Sequence, residues 1–246
     1  MPADLRLVLP FILAGALLYS TVGHGGATVY LAILTLAGFS IGPLVTTVLV
    51  LNVLAAGVSF VMFHQAGHLR WRLLLPCVVT SVPMAYVGGL VAFSGRTQSL
   101  ILGAALLAAA ARLLFLPRPP DLGVPREGWP FFVLAPVLGA VLGFLAGATG
   151  IGGGIFLSPL LLVFGWADVR EAGSVASAFI VLNSVAGLAA KLPNAPLDTA
   201  VLAPLAVVVG VGALAGSFLG ARRLPLRALQ VLLGLVLLLA GLKSLL

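Results

Sequence analysis

Charge is what this sequence has least of. Only 8% of its 246 residues are Asp, Glu, Lys or Arg, against roughly 25% in a soluble domain. So few charges cannot cover a water-facing surface. With 61% hydrophobic residues and a mean hydropathy of +1.24, the chain reads as an all-α polytopic membrane protein. Cysteine is almost absent too: Cys77 stands alone, which excludes an intramolecular disulfide and any multi-cysteine metal site. Its expected role is that of a small buried apolar residue.

Acids are missing from the apolar runs, because Asp168, Glu171 and Asp198 all fall at run ends. There is no His-Glu-x-x-His zinc helix and no Gly-x-Ser-x-Gly nucleophile elbow. An intramembrane serine protease needs a buried serine facing a histidine. His24 with Ser20 or Ser158 is the available combination, and no spacing supports it. The expectation is a non-enzyme with no metal and no cofactor. The net charge of +7 comes from basic residues scattered singly between apolar runs. They read as topology determinants and headgroup contacts, and nucleic acid is not an expected partner.

Hydrophobic runs fall at about 7–22, 27–38, 41–63, 72–93 and 98–116, and again at 129–149, 154–165, 171–192, 197–220 and 226–245. A span needs about 20 residues. The third, fourth and fifth runs of each half suffice, whereas Ala27–Gly38 and Gly154–Gly165 are too short to cross alone. These read as half-helices. The first run, despite Ala14–Ala16, reads as part of the fold and not as a cleaved leader, since it has a counterpart at Phe131–Thr149.

The halves look like copies. Gly23–Gly26 aligns with Gly150–Gly153, Gly38-Phe39 with Gly165-Trp166, Leu51-Asn52 with Leu182-Asn183, Leu69–Pro76 with Leu197–Pro204, and Gly88 with Gly216. The organisation expected is one membrane repeat at 1–116, a polar linker at 117–128 and a second repeat at 129–246. Each repeat has about five hydrophobic segments, one of them a glycine-broken helix. Internal duplication with discontinuous helices is the pattern of secondary transporters.

The basic residues favour inverted repeats. That arrangement puts Arg70, Arg72, Arg112, Arg118, Arg126, Arg170, Arg222, Arg223 and Arg227 on one side, with Arg6, Arg96, Lys191 and Lys243 on the other. The nine-to-four division exceeds the eight-to-five of parallel repeats, and the richer side faces the cytoplasm.

Five glycines fall between Gly147 and Gly154, and a weaker cluster spans Ser20–Ala27. Backbone freed inside hydrocarbon persists only where protein or a polar cavity covers it. A small-residue packing seam explains glycines four apart, but not Gly152, Gly153 and Gly154 in a row. A helix restarting at Ala27 or Gly154 presents unpaired N–H groups and a positive dipole end, suited to an anion. The candidate substrate-binding residues are therefore Gly23, His24, Gly25, Gly26, Thr149, Gly150, Gly152, Gly153 and Gly154. Asn52 and Asn183 join them, each midway along its run and able to brace a break or touch substrate. Thr46, Thr47, Ser174 and Ser177 lie one to two turns before them and read individually as hydroxyls bonded to their own helix. His24, where the second copy has Ile151, is a candidate for proton coupling. Lys191 reads as a snorkelling span end, His64 and His68 as interfacial, and Trp71, Trp129 and Trp166 as an aromatic belt.

Gly147–Gly165 resembles the signature of the TauE/SafE sulfite exporter family, as do Ala172–Gly187 and Gly216–Arg222. The resemblance covers nearly the whole chain. In the first half His24 and Ala27 stand where the usual motif has an apolar residue and a glycine. It implies a multi-pass carrier in a bacterial or archaeal cytoplasmic (inner) membrane for small sulfur anions: sulfite, sulfonates or thiosulfate. A passive anion channel built from paired half-helices is the alternative. The partners expected are a small anion, the lipid bilayer and protons; oligomeric state is not legible.

Overall fold

The computed structural model describes residues 5–39, 41–91, 128–193 and 199–245, with isolated positions between 103 and 115 and at 197. Most of the fifth run, nearly all of the linker and the side chains of Arg96, Arg118, Arg126 and Lys243 lie outside the described residues. Among those residues the chain is all-α, with nine α-helices: α1 (Leu5–Thr21), α2 (Ala27–Leu36), α3 (Ile41–Gln65), α4 (Trp71–Leu90), α5 (Trp129–Thr149), α6 (Gly154–Val163), α7 (Val169–Lys191), α8 (Thr199–Phe218) and α9 (Leu226–Leu245). Five are long and apolar enough to cross a membrane: α3, α4, α5, α7, and α8 with the π-turn Leu219–Arg223 that extends it. α2 and α6 have 10 residues each, about 15 Å of helix, and are half-helices as their length required.

Capping fixes where α7 begins. Asp168 accepts from the backbone N–H of Arg170 and Glu171, and the Glu171 carboxylate accepts from Asp168 N–H, a capping box. At that same end Glu171 takes Arg70 Nε at 2.6 Å, and Arg170 donates to the carbonyls of Leu224 and Gly220. His68 pairs with the Ala221 carbonyl at 3.1 Å. The α3–α4 turn, the start of α7 and the α8–α9 turn therefore share one end of the bundle. Lys191, at the far end of α7, donates to the Gly89 carbonyl near the end of α4. Its ammonium thus helps to cap the end of α4.

Two glycine seams hold the bundle. On α5, Gly139, Gly143 and Gly147 recur one turn apart and lie on the carbonyls of Cys77, Ser81 and Ala85 in α4. Gly212, Gly216 and Gly220 lie in the same way against Leu13, Leu17 and Thr21 of α1. A Cβ at any of these six would run into the facing backbone, so the seams close only because side chains are absent. Gly147, read from sequence as the start of a break, is thus a packing residue. The expected aromatic belt also loses a member. Trp71 and Trp129 are 50% and 77% exposed, but Trp166 is only 2% exposed, with its ring 4.9 Å from that of Phe131.

Candidate functional site

Both breaks run through left-handed backbone, which glycine adopts without strain. Gly26, with φ of 90°, immediately precedes α2, and Gly153, with φ of 70°, immediately precedes α6. α2 then folds back along α1, with Val29 against Gly15 and Thr28 Oγ1 donating to Tyr19 Oη at 3.0 Å. α6 folds back along α5 and ends near Phe131, at the entry of α5, through Trp166. Each pair is an antiparallel helical hairpin.

Asn52, midway along α3, joins the two breaks. Its Oδ1 accepts from Ala27 N–H at 3.2 Å, capping the start of α2. Its Nδ2 donates to the Ile151 carbonyl at 3.3 Å and to Ser184 Oγ at 2.9 Å. Gly25 and Gly152 close on it from either side: a Cβ at Gly25 would collide with Oδ1, and one at Gly152 with Nδ2. The glycines at these two positions are small because an amide occupies the space.

His24 forms the second link. Its Nε2 lies 3.0 Å from Ser158 Oγ, one turn into α6, while Nδ1 is buried without a partner. Gly23 packs on the backbone of Gly173 in α7, and Gly154 on Ile180. Between the breaks lies a cavity of about 10 Å³ lined by Tyr19, His24, Gly25, Gly26, Ala27, Thr28, Asn52, Ile151, Ile155 and Ile180. That is room for one water and no more.

The remaining candidates are less central. Gly150 has a φ of 71° and ends α5 against Val45. Thr149 bonds the Leu145 carbonyl of its own helix. Asn183 donates to the Phe179 carbonyl, also on its own helix, and its buried Oδ1 has no partner. The two asparagines, equivalent in sequence, are not equivalent in structure. Ser177 bonds Ser174 of its own helix as expected, and Cys77 is buried. Sequence reading missed Ser184, Tyr19 and Thr28, and weighed Ser158 only as a nucleophile. The available signal was polarity inside apolar runs: Tyr19 and Thr28 flank the first break, and Ser184 follows Asn183.

Comparison with known proteins identifies the family. The family model for "Sulfite exporter TauE/SafE" matches residues 7–244. The chain belongs to the TauE/SafE family. A relative from Sinorhizobium fredii (strain NBRC 101917 / NGR234), "Probable membrane transporter protein y4hK", is 30% identical over 233 residues, covering 94% of each chain. No solved structure matches. This TauE/SafE protein is a multi-pass membrane transporter and not an enzyme.

Proposed function

We propose that this protein is a secondary carrier of small sulfur-containing anions, such as sulfite, sulfonates or thiosulfate. It moves them across a bacterial or archaeal cytoplasmic membrane by alternating access. The observation that carries the reading is the convergence of two helix breaks on one buried amide, Asn52, beside a cavity without acidic residues. The sulfur cargo rests on the family's description as sulfite exporters.

Alternating access rests on two inverted repeats, 1–116 and 129–246, joined by the linker 117–128. Several features support them. The α4–α5 seam has its counterpart in the α1–α8 seam, as helix pairs exchanged by a twofold axis in the membrane plane. The Arg70–Glu171 and His68–Ala221 contacts bring together turns that parallel repeats would place on opposite sides. Where the α1–α2 and α5–α6 hairpins enter and leave on one side, α5 does not cross despite its length, and each repeat has an odd number of crossings.

Purified protein in proteoliposomes tests the carrier. Labelled sulfite or a sulfonate is expected to enter saturably, and unlabelled anion inside is expected to accelerate entry. Flux without that counterflow would identify a passive channel. Absence of saturable flux for any anion, with folded protein, would refute transport of this class.

A further inference from the structure

The cavity between the breaks carries an electrostatic deficit. A bare anion taken from water into low dielectric costs several kcal/mol unless opposite charge meets it. A helix start contributes about half a charge, but at α2 the Ala27 N–H is already taken by Asn52. No lysine or arginine lines the cavity, and Asn52 adds no charge. The nearest charged residues along α7 are Arg170 and Glu171, just before the Gly173 that touches Gly23. Both are engaged, with Gly220 and Leu224 and with Arg70. Lys191 is about three turns from Ile180 and bonded to Gly89. Tyr19, and Tyr30 beside Gly26, are the other titratable groups facing the break from α1 and α2, and neither supplies positive charge.

That leaves His24, 1% exposed, lining the cavity, with Nε2 engaged by Ser158 and Nδ1 unpartnered. When Nε2–H donates to Ser158, a neutral ring presents a lone pair at Nδ1, which repels an anionic oxygen. With protons on both Nε2 and Nδ1 the ring becomes a cation that donates to the anion, whereas the neutral Nδ1–H tautomer, with Nε2 accepting from Ser158, donates without supplying charge. We propose that the site accepts a singly charged oxyanion together with one proton, shared between a ligand oxygen and His24 Nδ1, and carries the pair as an electroneutral unit. The proton is taken from water on one side and released with the anion on the other. A doubly charged anion leaves one charge uncompensated and binds worse. This inference rests on the carrier reading above.

The test uses reconstituted full-length protein with labelled methanesulfonate, sulfite and thiosulfate, an internal pH dye and an imposed pH gradient. For one proton per anion, an outside one pH unit more acidic accumulates a singly charged anion about tenfold, with internal acidification and no response to a valinomycin-set potential. Methanesulfonate is the expected preference, with thiosulfate a weaker competitor. His24→Gln is expected to lower the flux and to abolish the gradient response of whatever remains; His24→Ile, copying Ile151, serves if the first variant does not fold. Saturable uptake by the wild type that ignores the gradient overturns the inference and leaves the carrier standing. So does a gradient response that survives in a folded His24 variant. No saturable flux of any anion removes the carrier reading and this inference with it.

Discussion

Replacing Asn52 and Asn183 separately by alanine distinguishes the two residues. In sequence they are twins, one per half, each midway along its run. In the structure Asn52 makes three hydrogen bonds, to Ala27, Ile151 and Ser184, and every one crosses between helices or breaks. Polar contacts between membrane helices are worth about 0.6 kcal/mol on average and up to about 1.7. Loss of all three therefore costs about 2–4 kcal/mol, at the upper end because the Ala27 N–H and Ile151 carbonyl are left buried. Asn183 makes one bond, to its own helix, and carries an unpartnered Oδ1. Its replacement by alanine, a better helix former, is expected to cost less than about 1 kcal/mol. Thermal or SDS unfolding of the purified variants in detergent reads the difference. Equal losses at the two positions would refute the idea that Asn52 alone clamps the breaks.

Other positions are equally open to test. Gly147→Ala drives a Cβ into the Ala85 carbonyl and is expected to lower stability by about 1–3 kcal/mol. Gly210→Ala meets nothing within 4 Å and is expected to be neutral or to stabilise α8 by up to about 1 kcal/mol; the same unfolding assay ranks the pair. Arg170→Ala removes two charged bonds, to the carbonyls of Gly220 and Leu224, and is expected to cost about 1.5–3 kcal/mol. Arg70→Ala breaks an exposed ion pair and is expected to cost no more than about 1 kcal/mol, less in high salt. Trp166→Ala, in a packed aromatic cluster and not at a lipid interface, is expected to lose about 3–5 kcal/mol.

The resemblance carried by Gly147–Gly165 led to a family that comparison then showed over nearly the whole chain. The substrate residues proposed for that family member rest on placement, and the placement divides them. His24, Gly25, Gly26 and Asn52 line the cavity. Gly150, Gly152, Gly153 and Gly154 shape the second break, while Thr149 and Asn183 turn to their own helices.

Composition and run length by themselves determined the membrane class, the helical architecture and the two half-helices. The reason is local: a hydrocarbon solvent admits only internally bonded helices of sufficient length, and 10–12 apolar residues between glycines do not reach across. Glycine chemistry likewise announced two breaks in the chain. What each glycine was for depended on its neighbour across space. Gly147 faces the Ala85 carbonyl and belongs to a seam, whereas Gly152 faces the Asn52 amide at the second break. Spacing hints at the difference, since Gly139, Gly143 and Gly147 recur four apart, but the facing partner is set only by packing. The pairing of His24 with Ser158 spans 134 residues, and the Asn52–Ser184 bond spans 132. Only tertiary packing chooses such partners, because the free energy of burying a polar atom depends on which partner arrives there. For the same reason two asparagines that each follow a Val-Leu pair end as a clamp and an unpaired acceptor.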